Sequence, residues 1–189
     1  NSIILDAPFV SEQGEGLKNW KPENYGKKFY GPSTLRKGIE KSRNLMTVRV
    51  AQNVGFEKIS QISKQLGIYK KVPELLSVSL GSNETTLLKI TNAYCSFVNG
   101  GKKVSPILIN RIQDRRGKTI FNTDTRDCQG CKIVSKEGDS IFTPQIINNY
   151  DQVISKETAY QMTSLLEGVV KRGTGKKLKK LNVPIAGKT

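Results

Sequence analysis

Two short groups of residues could do chemistry: Ser42-Arg43-Asn44 and Lys188-Thr189. Together they offer two hydroxyls, a carboxamide and an ammonium group. The chain contains no histidine, so it cannot build a Ser-His-Asp or Cys-His nucleophile, a His-ligated metal site or an imidazole base. Any catalysis must run on lysine, carboxylates, hydroxyls, amides and backbone groups. Groupings of two or three residues are common by chance. The bland alternative is that Ser42 and Asn44 only cap a helix beginning at Leu45.

Two other features invite a functional reading. Cys128 and Cys131 have the spacing of a zinc or redox pair. Zinc would need two more ligands, and Cys95 is the sole remaining cysteine. Cys95 falls near the apolar face of a helical segment, where a buried thiol is expected. The pair is then a local disulfide in an oxidising compartment or two idle thiols. The second feature is charge: 31 Lys and Arg against 16 Asp and Glu, a net +15. Six of these cations, Lys171, Arg172, Lys176, Lys177, Lys179 and Lys180, lie in one window without an acid. Such an excess suits nucleic acid, an anionic membrane surface or an anionic polymer. The run has no aromatic interleaving, and no helix-turn-helix or zinc-finger spacing accompanies it. It reads as a solvated loop, or as an electrostatic aid beside an anionic substrate.

The elements that must position these groups follow from periodicity and punctuation. Residues 1–32 are rich in Gly, Pro, Asn and aromatics and read as loop. Ser33 is an expected N-cap for a short helix through Leu35 and Ile39. Leu45, Val48, Ala51 and Val54 keep helical spacing up to Gly55, and Phe56, Ile59, Ile62 and Leu66 give a second amphipathic helix closed by Gly67. A stronger helix over 84–99 should turn Leu87, Ile90, Tyr94, Phe97 and Val98 inward. Arg115-Arg116-Gly117-Lys118, flanked by Ile107, Ile109 and Phe121, suggests a hairpin. Residues 122–150 are polar and read as an insertion, so 102–150 is expected to be a hairpin and polar insertion within one larger unit over 1–189. Ser155 opens another helix, with Ala159, Met162, Leu165, Leu166 and Val169 inward and the glycines 173 and 175 at its end. Residues 183–186 look like the start of a buried strand. The whole is a mixed α+β domain.

The chain has 189 residues, enough to bury a core. No stretch reaches the about 18–20 apolar residues of a membrane span. The first residues carry neither an initiating Met nor a signal-peptide pattern. Both ends look cut, as in the middle of a longer protein.

Motif order and flanking segments together resemble the transpeptidase domain of class A, bifunctional penicillin-binding proteins of the 1A type, whose motifs run S-x-x-K, S-x-N, K-[TS]-G. The resemblance rests on Ser42-Arg43-Asn44 and Lys188-Thr189. It rests also on Trp20-Lys21-Pro22-Glu23-Asn24-Tyr25, Phe29-Tyr30-Gly31-Pro32, Leu35-Arg36 and Leu80-Gly81-Ser82-Asn83-Glu84-Thr85-Thr86. Phe97-Val98-Asn99-Gly100-Gly101-Lys102, Arg111-Ile112-Gln113-Asp114, Thr158-Ala159-Tyr160-Gln161-Met162 and Leu166-Glu167-Gly168-Val169-Val170 extend it along nearly the whole chain. The loop with Arg126, Cys128 and Cys131 resembles an insertion seen in some members.

The resemblance implies a penicillin-binding protein/serine β-lactamase-like fold, incomplete at both ends. It implies serine acyl transfer from D-Ala-D-Ala stem peptides of peptidoglycan, with β-lactams as inhibitors and no cofactor or metal. Ser42 would relay a proton to the leaving amine. Asn44 would bind the substrate amide and hold the motif lysine. Lys188 would add positive charge near Ser42 and the substrate carboxylate, which Thr189 would hydrogen-bond. No serine in the chain has a lysine three residues later, so the nucleophile is expected upstream of residue 1, and the third motif lacks its glycine. The chain alone should be inactive. By the same resemblance the parent belongs on the periplasmic side of the bacterial inner membrane, anchored by a segment outside this chain and carrying a glycosyltransferase domain. Nucleic acid is not an expected partner. A basic nucleic-acid-binding module would explain the charge but not the motif order. A penicillin-binding-like domain used only for interaction would follow if the parent lacked the serine.

Overall fold

The computed structural model describes residues 2–12, 18–126, 128–129, 145–147 and 150–189. These residues form two compact units, one of 1–103 with 152–189 and one of 104–151.

The first unit is mostly helical. Strand β1 (Ile3–Asp6) pairs antiparallel with β2 (Gly31–Thr34), with Ile4 opposite Ser33 and Asp6 opposite Gly31. Short helix α1 (Leu35–Glu40) follows directly, its first turn capped by the Thr34 hydroxyl, which accepts from the Lys37 amide. Two expectations fail here. The opening segment is not all loop, and the cap is Thr34 rather than Ser33, which is committed to the strand and buried. Gly31-Pro32-Ser33-Thr34 has poor strand propensity, and its partner lies about 25 residues away, so no local pattern marks it.

Helix α2 (Asn44–Val54) ends at Gly55, whose φ of 86° is a conformation few other residues adopt without strain. Leu45 and Val48 on its inner face are fully buried against Phe9, with Trp20 and Leu76 closing the cluster. Phe9 and Trp20 meet edge to face at 6.5 Å. Removing each such aliphatic side chain from water contributes about 1.5–3 kcal/mol, so this cluster fixes α2 against β1 and the 3₁₀ turn Leu76–Leu80. Helix α3 (Phe56–Gln65) continues from Gly55.

Helix α4 (Leu87–Val98), capped by Thr86, packs on α5 (Lys156–Lys171), capped by Ser155. Its expected inner face holds in part: Ile90, Tyr94 and Phe97 are half-buried, but the fully buried residues are the small Ala93 and Ser96, and Leu87 and Val98 at its two ends are 80% and 78% exposed. Cys95 is a free and exposed thiol, not a buried one. Helix α5 buries Ala159, Leu166 and Val169 as its periodicity demands. A basic 3₁₀ helix, Lys176–Leu181, packs back on α5. No strand forms over 183–186: Val183 is 59% exposed. The segment has no ladder partner among the described residues, and just beyond it the Gly187 N–H bonds the Leu166 carbonyl.

The second unit contains a hairpin of β3 (Arg111–Gln113) and β4 (Thr119–Asn122). Its turn is closed by the Asp114 carboxylate, which accepts from the Arg116 and Lys118 amides. Two short strands, β5 (Cys128–Gln129) and β6 (Gln145–Ile146), pair nearby in sequence. Cys128 is disulfide-bonded. Cys131 lies outside the described residues, as does most of the polar stretch expected as an insertion.

Candidate active site

The Ser42 turn is built by the end of α1. Ser42 N–H donates to the Ile39 carbonyl at 3.2 Å and Arg43 N–H to the Gly38 carbonyl at 2.9 Å. This is the 5→2 and 6→1 pattern that closes a helix through a left-handed residue, a place usually held by glycine. Here it is held by a serine with φ of 52°. A side chain in this region costs about 1–2 kcal/mol.

Arg43 leads out of the turn. Its guanidinium donates to Asp6 at 3.0 Å and stacks on the Tyr30 ring at 3.1 Å from the centroid. Asp6 is fully buried, and its other oxygen accepts from Asn24 Nδ2 at 2.7 Å. Asn24 Oδ1 in turn accepts from the Leu45 amide at 3.3 Å. This caps α2 from a residue 21 positions away, since α2 has no side-chain cap of its own. Neither Ser42 nor Asn44 does that work. Asn44 starts the helix and donates its amide to the Glu23 carbonyl at 2.8 Å.

The second group arrives from the far end of the chain. Lys188 Nζ donates to Ser42 Oγ at 2.7 Å across 146 residues, and Ser42 Oγ donates to the Thr189 carbonyl at 3.1 Å. Lys188 also donates to the Thr189 carbonyl. Lys188 is exposed overall, yet its neighbours partly desolvate the ammonium, and that desolvation lowers its pKa. The Thr189 hydroxyl pairs with the Thr174 hydroxyl.

Thr174 is held by α1. Its N–H donates to the Glu40 carbonyl at 3.1 Å. The buried Glu40 carboxylate takes two bonds from Arg172, with Arg36 at 3.7 Å and the Lys41 ammonium on the Arg172 carbonyl at 2.8 Å. The approach is so close that a side chain on Gly168 would overlap the Glu40 carboxylate, and one on Gly173 would overlap the Glu40 backbone oxygen.

Of the four residues read from the sequence, the structure thus brings Ser42, Lys188 and Thr189 into one hydrogen-bonded group and sets Asn44 beside it with its amide turned to Glu23. The sequence gives no sign of roles for Asp6, Glu40 and Thr174, nor of the pairing of Arg43 with Asp6 and of Arg172 with Glu40. Their partners lie at non-local positions that no spacing rule reaches. An ammonium against a hydroxyl, with a second hydroxyl alongside, can relay a proton and receive a carboxylate. Among the described residues no group of acids, cysteines or histidines could hold a metal. No helix of the described residues is long and apolar enough to cross a membrane.

In the basic run, Lys171 pairs with Glu167 and Arg172 with Glu40. Lys176, Lys177, Lys179 and Lys180 have no ion-pair partner among the described residues.

The family model for the penicillin binding protein transpeptidase domain matches residues 1–189. The chain is 46% identical over its full length to a penicillin-binding protein 1A of Rickettsia bellii and 31% identical to one of Pseudomonas aeruginosa. It spans about a quarter of these relatives, 24% and 26% of their lengths. The crystal structure of penicillin-binding protein 1A from Haemophilus influenzae superposes with a TM-score of 0.78 at 26% identity, covering 95% of this chain and 29% of that one. A D,D-transpeptidase domain of a peptidoglycan glycosyltransferase from Eggerthella lenta shares the fold, with a TM-score of 0.70 at 21% identity over 100% of this chain and 47% of that one.

Proposed function

The chain belongs to the penicillin-binding protein transpeptidase domain family, and from that premise we propose that it forms part of a peptidoglycan D,D-transpeptidase. The observation that carries this reading is the 2.7 Å bond between Lys188 and Ser42, two motif residues 146 positions apart.

The reaction is acyl transfer. A serine oxygen attacks the carbonyl of the penultimate D-Ala of a stem peptide, the C–N bond to the terminal D-Ala breaks, and an amine of a neighbouring stem attacks the resulting ester. The serine proton must leave as the first bond forms, and the departing amine must gain one. A lysine can do this work once its surroundings lower its pKa, and these 189 residues offer no histidine for it. No S-x-x-K occurs in these 189 residues. The nucleophilic serine and its lysine therefore come from another part of the parent chain.

Ser42 is the relay to the leaving amine, its hydroxyl held at one side by Lys188. The Lys188 ammonium adds positive charge where the substrate carboxylate arrives, and the Thr189 hydroxyl bonds that carboxylate. Asn44 borders the same turn and bonds the substrate amide through its carboxamide oxygen, its N–H₂ being engaged by Glu23. β-Lactams acylate the same serine. The parent acts on the periplasmic side of the inner membrane, anchored by a segment outside this chain, and carries a glycosyltransferase activity.

Labelling the purified parent with a fluorescent penicillin and mapping the adduct tests the proposal. The expected adduct lies on a serine outside these 189 residues, and Ser42→Ala slows its formation. A parent that takes no label would overturn the function. An adduct within the chain would overturn the assignment of roles.

A further inference from the structure

The Ser42 hydroxyl meets Lys188 from a left-handed backbone position, one that a helix end normally gives to glycine. The two backbone bonds of this closing motif do not select a serine there. The residue that follows normally adds an apolar contact with the helix it has just left. In this chain that residue is Arg43, and it turns instead to the fully buried Asp6 and to the Tyr30 ring.

We propose that the Asp6–Arg43 pair is a positioning device for the relay hydroxyl, holding the turn in the strained conformation that aims Ser42 at Lys188. The proposal rests on the reading of Ser42 as a proton relay. Four features support it. Asp6 ends β1, and β1 is pinned by its ladder to β2, so the carboxylate is an anchor fixed by the sheet. Tyr30 N–H bonds the Asp6 carbonyl, so the ring and the acid that hold Arg43 form one piece. Asn24 links Asp6 to the first turn of α2 and so fixes the exit of the turn. The α1 bonds from Ser42 and Arg43 fix its entry. The guanidinium adds a direct bond from the turn itself to the buried acid. Neither Asp6 nor Arg43 touches the reacting groups, so both are positioning residues.

The test is a double-mutant cycle in the full-length parent, read as the second-order rate of acylation by a chromogenic penicillin. Arg43→Gln and Asp6→Asn each lower this rate by roughly 10–100-fold, the scale of a misplacement of about 1 Å. In a Ser42→Ala background the same changes lower it by less than about twofold, since the hydroxyl they position is gone. Thermal melting alongside separates this from general damage. Arg43→Lys, which keeps one charged contact, gives an intermediate rate and serves if Arg43→Gln fails to fold. Equal fold-losses in both backgrounds, or wild-type rates for Arg43→Gln and Asp6→Asn, would overturn this proposal alone. A wild-type rate for Ser42→Ala would overturn the relay reading and this proposal with it.

Discussion

Glu40 and Arg172, 132 residues apart, meet through two parallel bonds from the guanidinium to a carboxylate that is only 8% exposed. This pair joins α1, which delivers Ser42, to the end of α5, which delivers Thr174. Removing the base leaves the buried acid charged without its partner, whereas neutralising the acid as well does not. Arg172→Met should therefore lower the melting temperature more than the double change Glu40→Gln with Arg172→Met. Additive shifts would show that the pair is not coupled.

Gly173 leaves no room for a methyl group against the Glu40 backbone oxygen. Gly173→Ala should destabilise the protein by about 1–3 kcal/mol, the usual cost of overpacking. It should also slow acylation, because α1 and Thr174 must move apart. Gly26 has open space around it, and Gly26→Ala should stay within about 0.5 kcal/mol. Denaturant unfolding of the two variants makes the comparison.

Desolvation lowers the pKa of Lys188. Between that lowered value and the ordinary lysine value, the unfolded chain holds a proton that the folded one has released. Stability from this group then rises as pH climbs through the window, while any function needing the ammonium is lost across it. The alkaline limb of the acylation profile should begin below the ordinary lysine range. Lys188→Arg, which stays charged, should lose about 10–100-fold in rate through misplacement and move the limb upward. A limb that does not move would free Lys188 of the role.

Lys176, Lys177, Lys179 and Lys180 form a patch without partner acids among the described residues, on a 3₁₀ helix packed against α5. Replacing all four by Gln should raise the KM for the anionic glycopeptide several-fold at low salt, with kcat little changed. Screening should erase the difference at about 1 M salt, where the Debye length is about 3 Å. Unchanged crosslinking at low salt would exclude an electrostatic capture role.

Much of the helical frame is readable from the sequence alone. α2 and α5 carry helical periodicity between clear stops, and Ser155 announces its helix. The periodicity of α4 is equally clear, yet it misses the centre of the buried face, because small residues let helices approach closely and Ala93 and Ser96 carry no apolar signal of that kind. β1 and β2 were invisible because strand pairing over a long separation leaves no local trace. The motif residues could be found because their spacing is short. The pairs that hold them, Asp6 with Arg43 and Glu40 with Arg172, could not, since an acid in a sequence gives no sign of which distant base it will meet.

The left-handed serine sets folding and chemistry against each other at a single position. Glycine at 42 would relax the turn and lose nothing from the core, while the hydroxyl beside Lys188 would vanish. A library sorted for heat resistance should therefore enrich glycine at 42, and a library sorted for cell-wall crosslinking should restore serine. Under the proposed relay role of Ser42, the turn carries a standing cost in robustness that is recovered only as turnover.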